Sequence, residues 1–380
     1  MQTAAVRGAS GGRPLAVCLV GLIAGGHAGI PRYAASLTHA LDRISGEYPD
    51  IRLSLLTTAA GALAADASSI RVDVVAGRGR HSNAGLGRIA LEQIAARRSD
   101  AQLLHFFDLT GPVLASRRPF TSTIHDLSAL HGFGPLRNRY KRKLYPWALA
   151  RALTVIAVSN FARDEAIRQL GADATKIRVV YSGPGLDVRT ATSARLERKP
   201  ERPFILYVGN LGVNKNLALL VRAFHAADVD ARLVLAGRPQ DGMAAVREAI
   251  SQGPRREDIE LVTEANDADI DLLYRSATAL VLPSIYEGFG FTPLEAMTRG
   301  CVVLASDIPS LREVASPGAL LLPPHDVAAW ASAIRRIVVD GELRAQLRIR
   351  GAETVARFSW ETTARNVLEL FRSASLLAKL

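Results

Sequence analysis

Short strand-like runs recur along the chain at 15–21, 52–57, 70–75, 103–106, 121–125, 153–158 and 177–181, and again at 204–208, 232–236, 260–262, 279–283, 301–305 and 319–322. The evenly apolar ones, such as 279–283, predict strands buried on both sides of a parallel sheet. Helical stretches separate them through both halves, and this alternation argues for an α/β architecture. It is broken once, where Ser182-Gly183-Pro184-Gly185 and the polar stretch 189–202 carry the turn residues and charge of a linker.

A chain of 380 residues exceeds what one hydrophobic core organises. Two Rossmann-like domains facing each other across a cleft follow, at 1–186 and 187–358, with 359–380 as a separate final helix. Hydrophobic residues make up 48% and charged residues 22%, the balance of a globular protein. No apolar run reaches the roughly 18 residues of a membrane span. The run 14–24 is short and ends at Gly25-Gly26, so it reads as a first strand and loop in preference to a secretory leader, despite Arg7 and Arg13 before it. Cys18 and Cys301 lie inside apolar runs and are expected as core thiols, which fits a reducing cytoplasm.

Charge changes the picture. Up to Leu186 there are 23 Lys and Arg against 12 Asp and Glu, and beyond it 24 of each, so the whole net charge of +11 lies in the first half. It is densest at Arg137, Arg139, Lys141, Arg142 and Lys143, with Tyr145 and Trp147 just after. Such a stretch suits an anionic membrane surface or an acceptor bearing a lipid diphosphate, and equally a solvated helix face. No nucleic-acid module accompanies it, so nucleic acid is not an expected partner.

Candidate chemistry concentrates on loops that follow strands. In Glu287-Gly288-Phe289-Gly290-Phe291-Thr292-Pro293-Leu294-Glu295, two carboxylates flank a glycine-broken aromatic turn between the run 279–283 and a helix from Leu294. The glycines admit close backbone approach, and a helix N-terminus favours anions. Thr292 as N-cap, Pro293 as first residue and Glu295 as capping-box partner describe the same stretch as an ordinary helix start. Capping leaves Glu287 without a reason.

A similar strand-to-helix loop runs through Gly209, Asn210, Lys215 and Asn216, where backbone N–H groups and an ammonium suit a diphosphate; a simple turn with Asn216 as helix cap is the other reading. His125 and Asp126 end the run 121–125 and should project from the sheet edge, with Asp126 positioning the imidazole, binding acceptor, or capping the next turn. The loop Gly25-Gly26-His27-Ala28-Gly29 lacks the Gly-x-Gly-x-x-Gly spacing, which argues against a nicotinamide cofactor. No Asp-x-Asp motif occurs in a suitable loop and no Cys/His cluster exists, so no metal and no cofactor are expected.

The Glu287 stretch resembles the Glu-x7-Glu signature of the retaining glycosyltransferases of family 4, which have the GT-B fold. Gly29-Ile30-Pro31-Arg32-Tyr33, Thr123-Ile124-His125-Asp126-Leu127, Val155-Ile156-Ala157-Val158-Ser159-Asn160-Phe161, Tyr207-Val208-Gly209-Asn210 with Lys215-Asn216-Leu217, and Ala305-Ser306-Asp307-Ile308-Pro309 with Glu313 agree in that family's order. The resemblance implies transfer from a nucleotide-diphospho-sugar with retention, without a metal, the final helix running back to the first domain. It implies Glu287 on sugar hydroxyls, Glu295 on the nucleotide ribose, backbone contacts from Phe289, Gly290, Phe291 and Thr292, and Gly209, Asn210, Lys215 and Asn216 around the diphosphate. His125 would lie near the anomeric centre. The loop with Gly26, Gly29, Arg32 and Tyr33, together with Asp126, would face donor diphosphate and acceptor, Arg32 being an anion contact or a plain surface residue. The base would be read around Glu264 to Ile270.

Asn210 and Asn214 depart from the family pattern, which usually has Arg at the first and often at the second. The His-Asp-Leu and Ser-Asn-Phe stretches are most similar to bacterial mannosyl- and rhamnosyltransferases, which implies GDP-mannose as donor; the basic first half adds the expectation of a growing lipid-linked glycan as acceptor at the inner face of the cytoplasmic membrane. A nucleotide-sugar epimerase or hydrolase on the same fold, and a basic binding protein with a decayed site, are the competing readings.

Overall fold

A computed structural model describes residues 13–21, 29–58, 61–62, 65–75, 96–97, 99–111, 118–133, 140–185 and 202–378. Gly26, Arg137, Arg139 and the linker up to residue 201 lie outside the described residues. In the first half, strands β1 Leu15–Val20, β2 Ile51–Thr57, β3 Arg71–Val74, β4 Leu103–Phe106, β5 Phe120–Ile124, β6 Thr154–Ala157 and β7 Ile177–Val179 pair in the order β3-β2-β1-β4-β5-β6-β7. In the second, β8 Phe204–Val208, β9 Arg232–Ala236, β10 Ile259–Val262, β11 Ala279–Leu282, β12 Val302–Ser306 and β13 Ala319–Leu322 pair as β10-β9-β8-β11-β12-β13. Every pairing is parallel. Central strands such as β4 and β11 are buried along their whole length, whereas the edge strands β3 and β10 are not. That contrast is why the central strands read as unbroken apolar runs.

Both sheets are doubly wound, with the direction of winding reversing between β1 and β4 and between β8 and β11. Ligands of such sheets bind beyond the carboxyl ends of the strands at that reversal. The loops after β8 and β11 are those holding Lys215 and Glu287.

The last helix, Trp360–Ala378, buries Val367, Leu368, Phe371 and Ala374 in the core of the first half. Arg365 on Glu47 and Arg372 on Asp50 tie its outer face to the same half. Trp360 donates its indole N–H to the Pro184 carbonyl at 2.7 Å, beside the point where the chain leaves the first sheet.

Polar side chains close the seam between halves. Ser159 caps the helix Asn160–Leu170 by accepting from the Ala162 N–H, and its hydroxyl donates to the Gly288 carbonyl at 2.6 Å. The Glu313 carboxylate, from the helix Pro309–Ala315, accepts from the Asn160 and Phe161 N–H groups, the Asn160 amide and the Tyr181 hydroxyl. A carboxylate at a helix N-terminus satisfies unpaired donors and meets the positive end of the helix dipole. Tyr286 donates to Glu165 and accepts from the Leu127 N–H. The Ser-Asn-Phe stretch therefore joins the two halves.

His105 on β4 is fully buried between Phe107 and Phe371, its Nδ1 2.9 Å from the Thr121 hydroxyl. Burial, with a smaller contribution from His125, pushes its pKa from 6.5 down to about 3. Between those values the unfolded chain takes up a proton that the native chain refuses. This part of the stability is therefore intact above pH 6.5 and is lost on acidification, by up to ~1.4 kcal/mol per pH unit. His105→Gln should flatten the acid limb of a plot of urea midpoint against pH between 7 and 4; an unchanged slope would exclude His105 as its source.

Candidate active site

A cavity of about 1090 Å³ opens between the carboxyl edges of the two sheets. Its first-half wall is Gly29 to Arg32, His125 and Asp126; its second-half wall is Gly209, Asn210, Lys215, Arg238, the segment Thr263 to Asn266, and Glu287 to Thr292 with Glu295.

Close backbone contact builds this space. Gly209 has φ +149°, and a Cβ on Gly237 would lie 1.8 Å from the Gly209 carbonyl oxygen, so the loops after β8 and β9 nest without side chains between them. A Cβ on Gly288 would lie 1.9 Å from the His125 carbonyl oxygen, making Gly288 the point where the halves meet at the cleft floor. Gly290, at φ +100°, starts the helix Phe291–Thr298 as an N-cap that makes no side-chain bond. The expected helix start is corrected here: Thr292 is not the cap, and Glu295 is not a capping-box partner, because the left-handed Gly290 turns the chain two residues sooner.

Lys215 Nζ donates to Glu287 Oε1 at 2.6 Å, and the Ser284 hydroxyl donates to the same oxygen at 2.7 Å. Both charged side chains keep a small exposed fraction, 20% and 15%, so each can turn to a ligand. Glu295 is buried, with Oε1 accepting from Arg32 at 2.8 Å and Oε2 from the Tyr274 hydroxyl at 2.9 Å. Burial, then the Glu295 charge, pushes the Tyr274 pKa well above its usual value, so it remains a phenol and a donor. Burial also opposes the charge on Arg32, but Glu295 and Asp267 more than offset it and the guanidinium pKa lies above its ordinary value.

His125 has its pKa lowered by burial, against a smaller opposing pull from Asp108, the Phe107 carbonyl and Asp126. Its Nε2 lies 2.8 Å from the Phe107 carbonyl oxygen, which can only accept, so the neutral ring carries its proton on Nε2. Tyr33 packs edge-on against that ring at 4.7 Å. The side chain of Asp126 caps the turn at Ser128, through the Ser128 N–H and hydroxyl, the capping alternative of the three expected for it.

The sequence-predicted residues Gly29, Arg32, His125, Asp126, Gly209, Asn210, Lys215, Glu287, Phe289, Gly290, Phe291, Thr292 and Glu295 meet around one cavity. Asn216 does not join them. Its backbone is left-handed at φ 55°, and its amide donates to the Pro324 carbonyl at 2.8 Å. Tyr33 is fully buried behind His125 and is not part of the cavity wall. Arg32 is neither a surface residue nor on a free anion, being bound to Glu295 and Asp267. Tyr145, just after the basic stretch, is a core residue at 4% exposure, and Trp147 lies under Arg151. Sequence reasoning missed Arg238 and Tyr274, whereas Asp267 falls inside the stretch Glu264 to Ile270 expected around the base. A strand followed by Gly237-Arg238 was a usable signal for the first, whereas Tyr274 depends on which helix faces Glu295.

Two doubly wound parallel sheets facing each other, with their switch-point loops around one cleft, define the GT-B fold. Residues 28–187 match glycosyltransferase family 4 and residues 188–354 match the glycosyl transferases group 1. The chain belongs to this glycosyltransferase family. It is similar to the O-antigen chain mannosyltransferase B of Escherichia coli, 28% identical over 66% of this chain and 69% of that protein. It is also similar to the alpha-maltose-1-phosphate synthase of Mycolicibacterium smegmatis, 32% identical over 60% of this chain and 65% of that one. The solved structure of sucrose-phosphate synthase from Thermosynechococcus elongatus superposes with a TM-score of 0.72 at 22% identity, covering 96% of this chain and all of that one.

Proposed function

We propose that this glycosyltransferase moves a sugar, with retention and without a metal, from a nucleotide-diphospho-sugar to a growing, lipid-linked glycan of a surface polysaccharide, with GDP-mannose as donor. The observation that carries the reading is the Lys215–Glu287 pair at the switch point of the second sheet, facing neutral His125 across the cavity. A departing diphosphate needs cationic support, and Lys215, one bond away from reassignment, offers it beside N–H groups of the adjoining loops. Glu287 is placed to accept from sugar hydroxyls. With its proton on Nε2 and bound to Phe107, His125 meets the donor as a neutral ring, not as a second cation. Glu287 and Glu295 both belong to the donor half, which is unlike the opposed carboxylates of a glycosidase.

Similarity to the Escherichia coli mannosyltransferase supports mannose and a polysaccharide acceptor. The excess of positive charge in the first half supports docking on an anionic membrane from the cytoplasmic side, with Arg142 and Lys143 exposed. Among the described residues no helix is long and apolar enough to cross a membrane.

A thermal-shift panel with GDP, UDP, dTDP and ADP tests the donor class. A ligand at 100 times its Kd stabilises the folded state by about 2.7 kcal/mol, a shift of several degrees. GDP should produce it and the other three should not. A larger shift with another nucleotide would replace GDP-mannose, and no shift with any would count against a nucleotide-sugar enzyme.

A further inference from the structure

The Glu295 carboxylate is sealed from the cleft by Arg32. Its side chain is 1% exposed while that of Arg32, in front of it, is 14% exposed. The guanidinium comes from the opposite half of the molecule, on the first turn of the helix Gly29–Ile44, and bridges Glu295 at 2.8 Å and Asp267 at 3.0 Å. With Tyr274 on the other oxygen, both Glu295 oxygens are engaged. With the carboxylate 1% exposed behind Arg32, a sugar or ribose hydroxyl coming from the cleft reaches Oε1 by displacing the guanidinium. In the same cavity Lys215 is held by Glu287 and position 210 is the neutral Asn210, which leaves Arg238 as the other cation on the second-half wall.

We propose that Arg32 is a ligand-operated gate. In the empty cleft it closes Glu295; when a nucleotide's ribose binds Oε1, the released guanidinium turns to the diphosphate and adds a cation from the first half to Lys215 and Arg238 of the second. This rests on the reading that the cleft takes a nucleotide-diphospho-sugar. A bidentate guanidinium suits both tasks, since carboxylate and phosphate offer the same paired oxygens. The exchange also makes the empty and loaded cleft differ in one ion pair between the halves, so donor occupancy is communicated to the first half, where the acceptor would bind.

The gate makes predictions of opposite sign for one substitution. In Arg32→Gln, titration calorimetry should show the nucleoside of the bound nucleotide binding several-fold tighter, because its competitor for Glu295 is gone. The nucleoside diphosphate should bind about tenfold more weakly, the worth of a lost charged contact to phosphate. Asp267→Asn leaves the gate in place but loosens its second anchor, and should tighten diphosphate binding a few-fold. It lies outside the Asn266–Asp269 capping box and so retains the helix start. Parallel weakening of nucleoside and diphosphate in Arg32→Gln, or unchanged binding of both, would overturn the gate and make Arg32 a static clamp. Weaker diphosphate binding in Asp267→Asn would do the same even if Arg32→Gln failed to fold. Should the wild-type protein bind none of GDP, UDP, dTDP and ADP, the nucleotide-sugar reading itself falls and the gate with it.

Discussion

Glu287→Ala should lower turnover of the nucleotide-sugar by about 10²- to 10³-fold, the scale of losing one positioned polar group at a reacting centre. Binding of the nucleoside diphosphate should stay the same or tighten, because the substitution frees the Lys215 ammonium that Glu287 holds at 2.6 Å. The ammonium is not stranded, since Lys215 keeps 20% exposure to the cavity. Nucleotide release under saturating donor, set beside calorimetric binding of the diphosphate, separates the two effects. A fall in affinity with turnover unchanged would reverse the roles assigned to Glu287 and Lys215.

Gly288→Ala should be as damaging through a different route. The added methyl carbon would lie 1.9 Å from the His125 carbonyl oxygen and 2.8 Å from Asp126 Cβ, and main chain cannot rotate away as a flexible side chain can. Relief requires the halves to part, which strains the Ser159 bond to the Gly288 carbonyl and displaces Glu287 relative to His125. A destabilisation of about 2–4 kcal/mol is expected, at the upper end for overpacking, together with loss of transfer. Gly29→Ala is the matched control for stability, with nothing within 4 Å of the added carbon. Equal melting temperatures for the two variants would show that the halves do not meet at Gly288 in solution.

The strands were legible because a parallel strand buried on both faces leaves a compositional trace independent of its neighbours. The run at 301–305 becomes β12 Val302–Ser306, and that at 279–283 becomes β11 Ala279–Leu282. Strand order is not legible in this way, so the sequence placed Lys215 and Glu287 at strand ends without showing that both ends adjoin the winding reversal. At the start of the helix Phe291–Thr298 the local pattern misled: Thr292 and Glu295 fit a capping box, but Glu295 is taken by Arg32, 263 residues away. Asn216 takes the helix-cap position, the second of its two readings, but its side chain makes no capping bond and its amide reaches Pro324 on a loop 108 residues distant. The Tyr286–Glu165 bond had no sequence signal, since neither residue belongs to a recognisable pattern and only docking of the halves joins them.

The chain passes between its halves twice, after Gly185 and again before Trp360, and these passages touch. A Cβ on Gly183 would lie 2.5 Å from Trp360 Cδ1, and the Trp360 indole is bonded to Pro184. One tether would let the halves swivel about it; two side by side act as the spine of a book, leaving a single axis of bending. Bending about such an axis would part the cleft without changing which loops face one another, keeping Glu287 on the same side of His125. Register between the two halves is thus held by the path of the backbone as well as by the polar contacts at the cleft.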